Sequence, residues 1–202
     1  MREIDCVLKI NKKDLNKILT KDKILKLTDY FYIQNNIHNV SSIEFRKRFN
    51  KFYYVNPHRN LDWQKVYYSL LKNSVGKKDI SYEKIISTLY KKTGRVEASF
   101  ASKLVATLNM DMPVIDSVVL KYFKKQGCKK IIMPPYSNTP KERTEKLSIL
   151  HKNLIEIYNN FLKTKKGKEV IKIFRKNFKE IFPTEEISDI KIIDFILWQT
   201  RD

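Results

Sequence analysis

The feature that most constrains this chain is the helical spacing of its apolar residues, which only four glycines and six prolines interrupt. Residues 14–33 show this period first, and it recurs along the chain to the C-terminus. In segment 63–71, positions i, i+3, i+4, i+7 and i+8 are apolar, namely Trp63, Val66, Tyr67, Leu70 and Leu71. We therefore expect an all-α fold, a bundle of about nine or ten helices by the number of such segments.

Capping residues predict where several of these helices begin. Ser41 and Glu44 have the spacing of a capping box. Ser81 and Thr139 each precede an amphipathic segment, and a proline follows Thr139 at the first helical position. Gly167 is expected to interrupt the helical pattern that begins after Thr139.

The length of 202 residues is that of one domain with its own hydrophobic core. We expect a single helical domain over residues 1–202, built as two lobes that meet near the proline-bearing stretch 131–140. No run of eighteen apolar residues is present, and charges are spread through the N-terminal segment. The chain is therefore expected to be a soluble cytoplasmic protein without a membrane partner.

The two cysteines, Cys6 and Cys128, are far apart along the chain and belong to no Cys/His cluster. We expect them to be reduced, as cysteines of cytoplasmic proteins are. The histidines are isolated from one another, and the glycine motifs of phosphate-binding and dinucleotide-binding loops are missing. The sequence therefore predicts neither a metal site nor a cofactor.

The net charge of +19, from 41 basic against 22 acidic residues, is the strongest indication of a partner. A surface this basic attracts polyanions and releases their counterions on binding. Nucleic acid is the expected partner, and in a bacterium the protein would be nucleoid-associated. The alternative is that an A/T-rich genome has raised the lysine content without selection for a ligand.

Residues 93–123 read T-G-R-V-E-A-S-F-A-S-K-L-V-A-T-L-N-M-D-M-P-V-I-D-S-V-V-L-K-Y-F. This segment resembles the central motif of the helix-hairpin-helix (HhH-GPD) DNA glycosylase superfamily. In that motif a glycine-bearing hairpin, a helix and an apolar connection with a proline precede an aspartate at the start of the next helix. The matching positions are Gly94, Ala101, Pro113 and Asp116. The resemblance implies a helix-hairpin-helix DNA glycosylase-like fold and an enzyme that acts on DNA.

Asp116 is the catalytic residue that the resemblance implies. Breaking an N-glycosidic bond builds positive charge on the sugar, and a carboxylate in a poorly hydrated pocket stabilises that charge. The same carboxylate can orient or deprotonate the attacking water. The alternative is an ordinary helix N-cap, which contributes about 1 kcal/mol. The two roles are compatible, because a helix N-terminus favours the ionised carboxylate.

The segment departs from the family pattern at two places. The hairpin has no second glycine and contains Glu97, which would repel a phosphate, so the predicted DNA contacts there are Gly94 and Arg95. Bifunctional family members carry a lysine nucleophile where this chain has Ser99. Lys103 follows one helical turn later, as a candidate catalytic or phosphate-contacting residue. The resemblance therefore implies a monofunctional enzyme.

Residues 45–60 interleave aromatic with basic side chains, a pattern suited to stacking on bases while neutralising phosphates. The base-stacking candidates are Phe49, Phe52, Tyr53 and Tyr54. The DNA-binding candidates are Arg46, Arg48, Lys51 and Arg59 in this segment, and Lys121, Lys124 and Lys125 after Asp116. The alternative is an amphipathic helix with an aromatic core face and a solvated basic face. The lysine run 163–168 could also contact phosphates, although charge runs are usually solvated faces.

The leading hypothesis is a monomeric DNA N-glycosylase, a hydrolase of base excision repair. It would bind double-stranded DNA, flip out a damaged or modified base and hydrolyse the glycosidic bond of that base. The first alternative is a non-catalytic nucleic-acid-binding protein of the same fold. The second is a structural or protein-interaction helical domain whose charge reflects genome composition.

Overall fold

The computed structural model describes residues 8–10, 15, 19–55 and 59–200. Their regular structure is helical, as the apolar spacing predicts, and no strand occurs among them. The α-helices are α1 (Lys21–Ile24), α2 (Leu27–Asn35), α3 (Ile43–Tyr53), α4 (Leu61–Ser74), α5 (Tyr82–Thr93), α6 (Ala98–Leu108), α7 (Ser117–Lys125), α8 (Pro140–Lys163), α9 (Lys165–Phe178) and α10 (Asp189–Trp198). Most of the predicted helical pattern before residue 19 lies outside the described residues.

Helix α10 is the centre of the core. All nine of its residues from Ile190 to Trp198 are buried. A helix that is apolar around most of its circumference must be covered on all sides, and α10 packs against α7, α8 and α9. The position of α7, and of the connection that leads into it, therefore depends on α10.

Helices from both sides of the stretch 131–140 pack against each other. α5 packs on α8, and α7 packs on α10. The buried apolar residues of all four helices belong to one hydrophobic core. A lobe junction near residues 131–140 stays a prediction.

Several predicted helix caps are confirmed. Ser81 accepts a backbone N–H at the start of α5, and Thr139 forms a complete capping box with Glu142 at the start of α8. The prediction for Ser41 is wrong by one residue. The hydroxyl of Ser42 accepts the N–H of Phe45 at 3.1 Å. Because α3 begins at residue 43, Glu44 stands one position too early to close a box with this cap.

The prediction for Gly167 also needs correction. The helical pattern breaks at Thr164, which ends α8 and caps α9 by accepting the N–H of Gly167 at 3.0 Å. Gly167 lies inside the first turn of α9, against the last turn of α8. A Cβ atom there would stand 2.0 Å from the carbonyl oxygen of Phe161. Glycine is required at this position by the close approach of two backbones rather than by a helix end.

Cys128 corrects the expectation of reduced cysteines. It is buried and disulfide-bonded. Distance along the chain does not limit a disulfide, because folding brings remote segments together. Cys6 lies outside the described residues.

The described residues form neither a membrane-spanning helix nor a metal-binding cluster. No helix among them is both long and apolar enough to cross a membrane. The same residues include no group of three or more histidine, cysteine or acidic side chains placed to hold a metal ion.

Replacing Gly167 by alanine is expected to lower the free energy of unfolding by about 2–4 kcal/mol, because the new methyl group overlaps the Phe161 carbonyl. Helix propensity alone would predict a gain of about 1 kcal/mol. The control is Asn177→Ala, at an exposed position of the same helix, which should be neutral or slightly stabilising. Urea unfolding followed by circular dichroism measures both. A Gly167→Ala protein as stable as wild type would show that the two backbones can separate at little cost.

Candidate functional site

A groove of about 1010 Å³ opens beside the start of α7. Asp116 lies in its wall and is 8% exposed. We call this the Asp116 groove and define it by its charged and aromatic lining residues, Tyr54, Lys103, Asp116, Lys121, Tyr122 and Lys125. Five of these six were singled out as site candidates from the sequence, and the fold brings them together around one space.

Helix α6 contributes Ser99 and Lys103 to the groove. Lys103 lies one helical turn after Ser99, the position where bifunctional family members have their lysine. Because residues four apart lie on the same face of a helix, Lys103 also faces the groove. Lys103 is largely buried, and its Nζ lies 5.1 Å from the ring centroid of Phe100. Its ammonium group is therefore held close to the protein surface rather than extended into water.

Helix α7 contributes Lys121 and Lys125, again four residues apart on one face. Lys124 is exposed but does not line the groove. The only carboxylate among the described lining residues is that of Asp116, so three lysines surround a single acid. The groove is therefore positively charged overall and suited to an anionic ligand.

Asp116 caps α7, as predicted. Its backbone is extended, and its Oδ1 accepts the N–H of Val118 at 2.8 Å. The residue is thus held at the N-terminus of α7. The cap fixes the carboxylate at the groove wall, so the same side-chain position caps α7 and lines the groove.

Side chains of α10 and its cap hold the connection that leads from α6 to Asp116. The hydroxyl of Ser188 donates to the carbonyl oxygen of Met110 at 2.6 Å. Oδ2 of Asp194 accepts the N–H of Val114 at 3.0 Å. These bonds satisfy backbone groups that would otherwise be buried without partners.

Helices α6 and α8 hold the same connection from other sides. The hydroxyl of Ser102 accepts the N–H of Ile115 at 2.9 Å. Nε2 of His151 donates to the carbonyl oxygen of Pro113 at 3.0 Å, because a carbonyl can only accept. Burial lowers the pKa of His151 to about 4, so the ring is neutral at pH 7.

Asp194 is the centre of a buried polar network. It accepts the hydroxyl of Tyr158 at 3.0 Å, and Nζ of Lys191 lies 3.5 Å from its Oδ2. Lys191 is 3% exposed and lies 5.8 Å from the ring centroid of Tyr53. Burial raises the pKa of Asp194, while the lysine and the hydrogen bonds lower it. Burial also raises the pKa of Tyr158 far above its usual value, so its hydroxyl stays protonated as a donor.

A second, enclosed cavity lies between this network and Asp116. Its walls include Phe52, Tyr53, Asp116, Lys191 and Trp198. The cavity measures about 10 Å³, which is space for one water at most. A nucleobase does not fit there unless the aromatic walls move.

Three of the four base-stacking candidates are core residues. Phe49 and Tyr53 are fully buried, and Phe52 is almost so. Their faces pack on other rings of the core, which corrects the prediction that they stack on bases. Tyr54 differs because it follows the end of α3, is 56% exposed and lines the Asp116 groove.

Three of the predicted DNA-binding residues in segment 45–60 have intramolecular partners in or beside α3. Arg48 and Lys51 both pair with Asp29, at 3.2 and 2.9 Å. Arg46 donates to the carbonyl oxygen of Val40 at 3.1 Å. These side chains tie α3 to neighbouring segments, and none of the three lines the Asp116 groove.

Arg59, the fourth predicted DNA contact of this segment, also has intramolecular partners. Its guanidinium binds both carboxylate oxygens of Glu97, at 2.6 and 3.3 Å, and lies over the rings of Trp63 and Phe100. The sequence predicts that Glu97 would repel a phosphate, but its negative charge is balanced by the guanidinium of Arg59. Because these contacts engage the guanidinium of Arg59, it is not free in this structure to bind a DNA phosphate.

Gly94 and Arg95 form the turn between α5 and α6. Gly94 has a φ of 69° and serves as the left-handed C-cap of α5, a conformation that favours glycine. Both residues are exposed and neither lines the Asp116 groove. Their contact with DNA stays a prediction.

Sequence reasoning missed Tyr122 in the groove and the side chains that hold the connection to Asp116. Tyr122 was visible only as an apolar position of α7. His151 and Asp194 lie on helices remote from Asp116 in sequence, whereas Ser102 lies on the preceding helix. A single polar residue on an apolar helix face is the one signal that each offered.

Comparison with known proteins adds no relative. No protein-family model, characterised protein or solved structure matches this chain. What the structure defines is an all-α chain with a positively charged groove around one carboxylate.

The stability of the protein is expected to fall between pH 6.5 and pH 4, in part through His151. The unfolded histidine binds a proton near pH 6.5, whereas the folded one does so only near pH 4. The unfolded state therefore binds more protons in this window, and stability rises with pH across it, by about 3 kcal/mol at most. Urea unfolding of wild type and His151→Gln at pH 7.5 and pH 4.5 measures this contribution. The pH-dependent loss should be smaller in the variant, and equal losses would contradict the assignment.

Asp194→Asn and Lys191→Met are each expected to lower the free energy of unfolding by about 3–5 kcal/mol, because each leaves the other buried group without its charged partner. The free energy of unfolding that the double variant loses should be smaller, by at least about 1 kcal/mol, than the sum of the losses in the two single variants. The matched control is the exposed pair of Lys84 and Asp79, whose coupling should be much smaller. Additive effects in the buried pair would show that the two groups are independent.

Proposed function

We propose that this protein is a DNA glycosylase-like enzyme that binds double-stranded DNA, extrudes a damaged or modified base and hydrolyses its N-glycosidic bond with Asp116. The observation that carries the proposal is the position of Asp116, capped and largely shielded from water, in the wall of a groove that holds three lysines. The resemblance of residues 93–123 to the helix-hairpin-helix DNA glycosylases supports it.

The chemistry of the groove is consistent with this reaction. Lysines on two walls can hold the phosphates that flank a target nucleotide, which brings its sugar close to the carboxylate. Positive charge that develops on the sugar as the bond breaks is stabilised by Asp116, and more strongly because the site is poorly hydrated. The carboxylate can also orient the attacking water. Lys103 serves as a phosphate contact in this scheme, and the enzyme is monofunctional.

Tyr54 is the stacking residue of this proposal. Extruding a base costs a few kcal/mol, which a stacking surface on the protein offsets in part. The ring of Tyr54 packs edge-on to Trp198, with the ring centroids 5.8 Å apart, and it stands at the mouth of the groove. A movement of Tyr54 and Trp198 would open the enclosed cavity beside Asp116.

Asp116→Asn is expected to lower base excision by about 100-fold or more, because asparagine carries no charge to stabilise the sugar cation. Asparagine caps helices as well as aspartate does, so the free energy of unfolding should barely change. The measurement uses duplexes with uracil, alkylated, oxidised or hypermodified bases, followed by alkali to reveal abasic sites. Asp111→Asn, at an exposed loop position, is the matched control and should retain full activity.

Excision that persists undiminished in Asp116→Asn would exclude the role assigned to this residue. Unchanged stability of the variant, checked by thermal unfolding, separates loss of chemistry from loss of fold.

A non-catalytic DNA-binding protein of the same fold is the second candidate. The observation that favours it is the size of the enclosed cavity beside Asp116, about 10 Å³, which does not admit a base in this conformation. Duplex binding that is steeply salt-dependent, together with no excision by wild type on any substrate of the panel, would support this alternative.

A further inference from the structure

Helix α9 carries a row of lysines on its exposed side. Lys165, Lys168, Lys172 and Lys176 are three or four residues apart and all exposed, so they form one line along the helix. At a rise of 1.5 Å per residue the line is about 16 Å long. We call these four residues the lysine stripe.

The stripe has no acidic counterpart within the described part of the chain. No carboxylate there lies within 4.0 Å of any of its four ammonium groups. Glu185 and Asp189, which stand nearest on the neighbouring elements, pair instead with Arg175 of the same helix at 3.3 and 2.8 Å. Glu169 of α9 itself forms no ion pair within 4.0 Å with a lysine of the stripe in the described part of the chain. The nearby carboxylates are thus not bound to the lysines of the stripe, which are exposed.

This arrangement carries a cost in stability. Lys168, Lys172 and Lys176 are spaced four apart, and like charges at this spacing repel by about 0.2–0.5 kcal/mol per pair. The first turn of α9 has no acidic residue to offset the lysines there. A polyanion laid along the helix would relieve this repulsion.

We propose that the lysine stripe is a second contact surface for the phosphate backbone of double-stranded DNA, separate from the Asp116 groove. The proposal rests on the proposed function for the identity of the polyanion. Successive lysines of the stripe are about 6 Å apart along the helix, close to the rise of about two phosphates of one strand. The stripe borders the start of α10, whereas the groove lies at its other end near Thr200, so the two surfaces contact different parts of a bound duplex.

The structure favours nucleic acid over a lipid surface as the occupant. An amphipathic helix binds a membrane by inserting its apolar face. The apolar face of α9, with Val170, Ile171, Phe174 and Phe178, is buried in the protein core. Only the charged face is available, and it can offer phosphate contacts without insertion.

The test compares Lys168→Gln/Lys172→Gln/Lys176→Gln with a control of equal charge, Lys141→Gln/Lys146→Gln/Lys152→Gln, at exposed positions of α8. Fluorescence anisotropy measures binding of an undamaged duplex between 50 and 200 mM salt. Three lost phosphate contacts should lower the slope of log K against log salt by about 2.7, so the affinity advantage of wild type shrinks roughly 40-fold across this range. The control should change the slope much less. Equal slopes for the stripe variant and wild type would overturn the proposal.

Thermal unfolding at low salt gives an independent readout. Glutamine and lysine have similar helix propensities, so the stripe variant should unfold at the same temperature as wild type or higher, as repulsion is removed. A lower temperature would assign the lysines an internal structural role and overturn the proposal. The proposal would also be overturned if the stripe variant bound duplex DNA as wild type does but lost binding to RNA or to anionic vesicles.

Failure of this proposal and of the proposed function are distinguishable. A stripe variant that binds DNA like wild type refutes the stripe alone, and excision through Asp116 is unaffected. A stripe variant with a reduced salt slope, in a protein that excises no base, leaves the stripe intact and refutes the catalytic assignment. A wild-type protein whose duplex binding is insensitive to salt refutes both.

Discussion

The geometry of the Asp116 groove depends on hydrogen bonds to the buried backbone between Met110 and Asp116. This connection is not helical, and beyond the local bonds that Asn109 accepts from the N–H groups of Asp111 and Met112 its backbone groups need partners from elsewhere in the protein. Side chains from α6, α8, α10 and the α10 cap supply them, at distances of 2.6 to 3.0 Å. Because each partner comes from a different element, the position of Asp116 is determined by the packing of the whole bundle rather than by its own helix.

One of these hydrogen bonds joins the site to the buried ion pair of Asp194 and Lys191, whose charges are costly to bury. Asp194 holds the N–H of Val114 and at the same time balances the buried ammonium group of Lys191. Burying an ion pair gives little net stability, but removing one member is expensive, so the pair enforces one arrangement of α10 against the connection. The site is thus fixed at its base by the core, while the ring of Tyr54 on its opposite side is largely exposed.

The parts of the fold that could be predicted from the sequence are those governed by neighbouring residues. The all-helical fold, the N-caps Ser81, Thr139 and Asp116, and the C-cap Gly94 follow from local spacing and capping chemistry. Which aromatic of segment 45–60 faces solvent did not follow, because Tyr54 comes directly after the buried Tyr53 and is turned outward by a left-handed backbone at the end of α3, with a φ of 51°. Nor did the pairing of Arg59 with Glu97 or of Asp194 with Val114, since these contacts join residues 38 and 80 positions apart.

Among the described residues, arginines are held by contacts within the protein more often than lysines are, which bears on the origin of the charge. Five arginines, Arg46, Arg48, Arg59, Arg143 and Arg175, lie over rings or bind oxygens of the protein itself. The planar guanidinium suits such fixed contacts, whereas a lysine is a mobile, strongly hydrated charge. An A/T-rich genome would account for the number of lysines, and an amphipathic helix would place them on its exposed face. Neither accounts by itself for three exposed lysines spaced four apart on α9, since glutamate at one of these positions would stabilise the helix. Selection for a polyanion, the ligand proposed for the lysine stripe, would explain why that repulsion is retained.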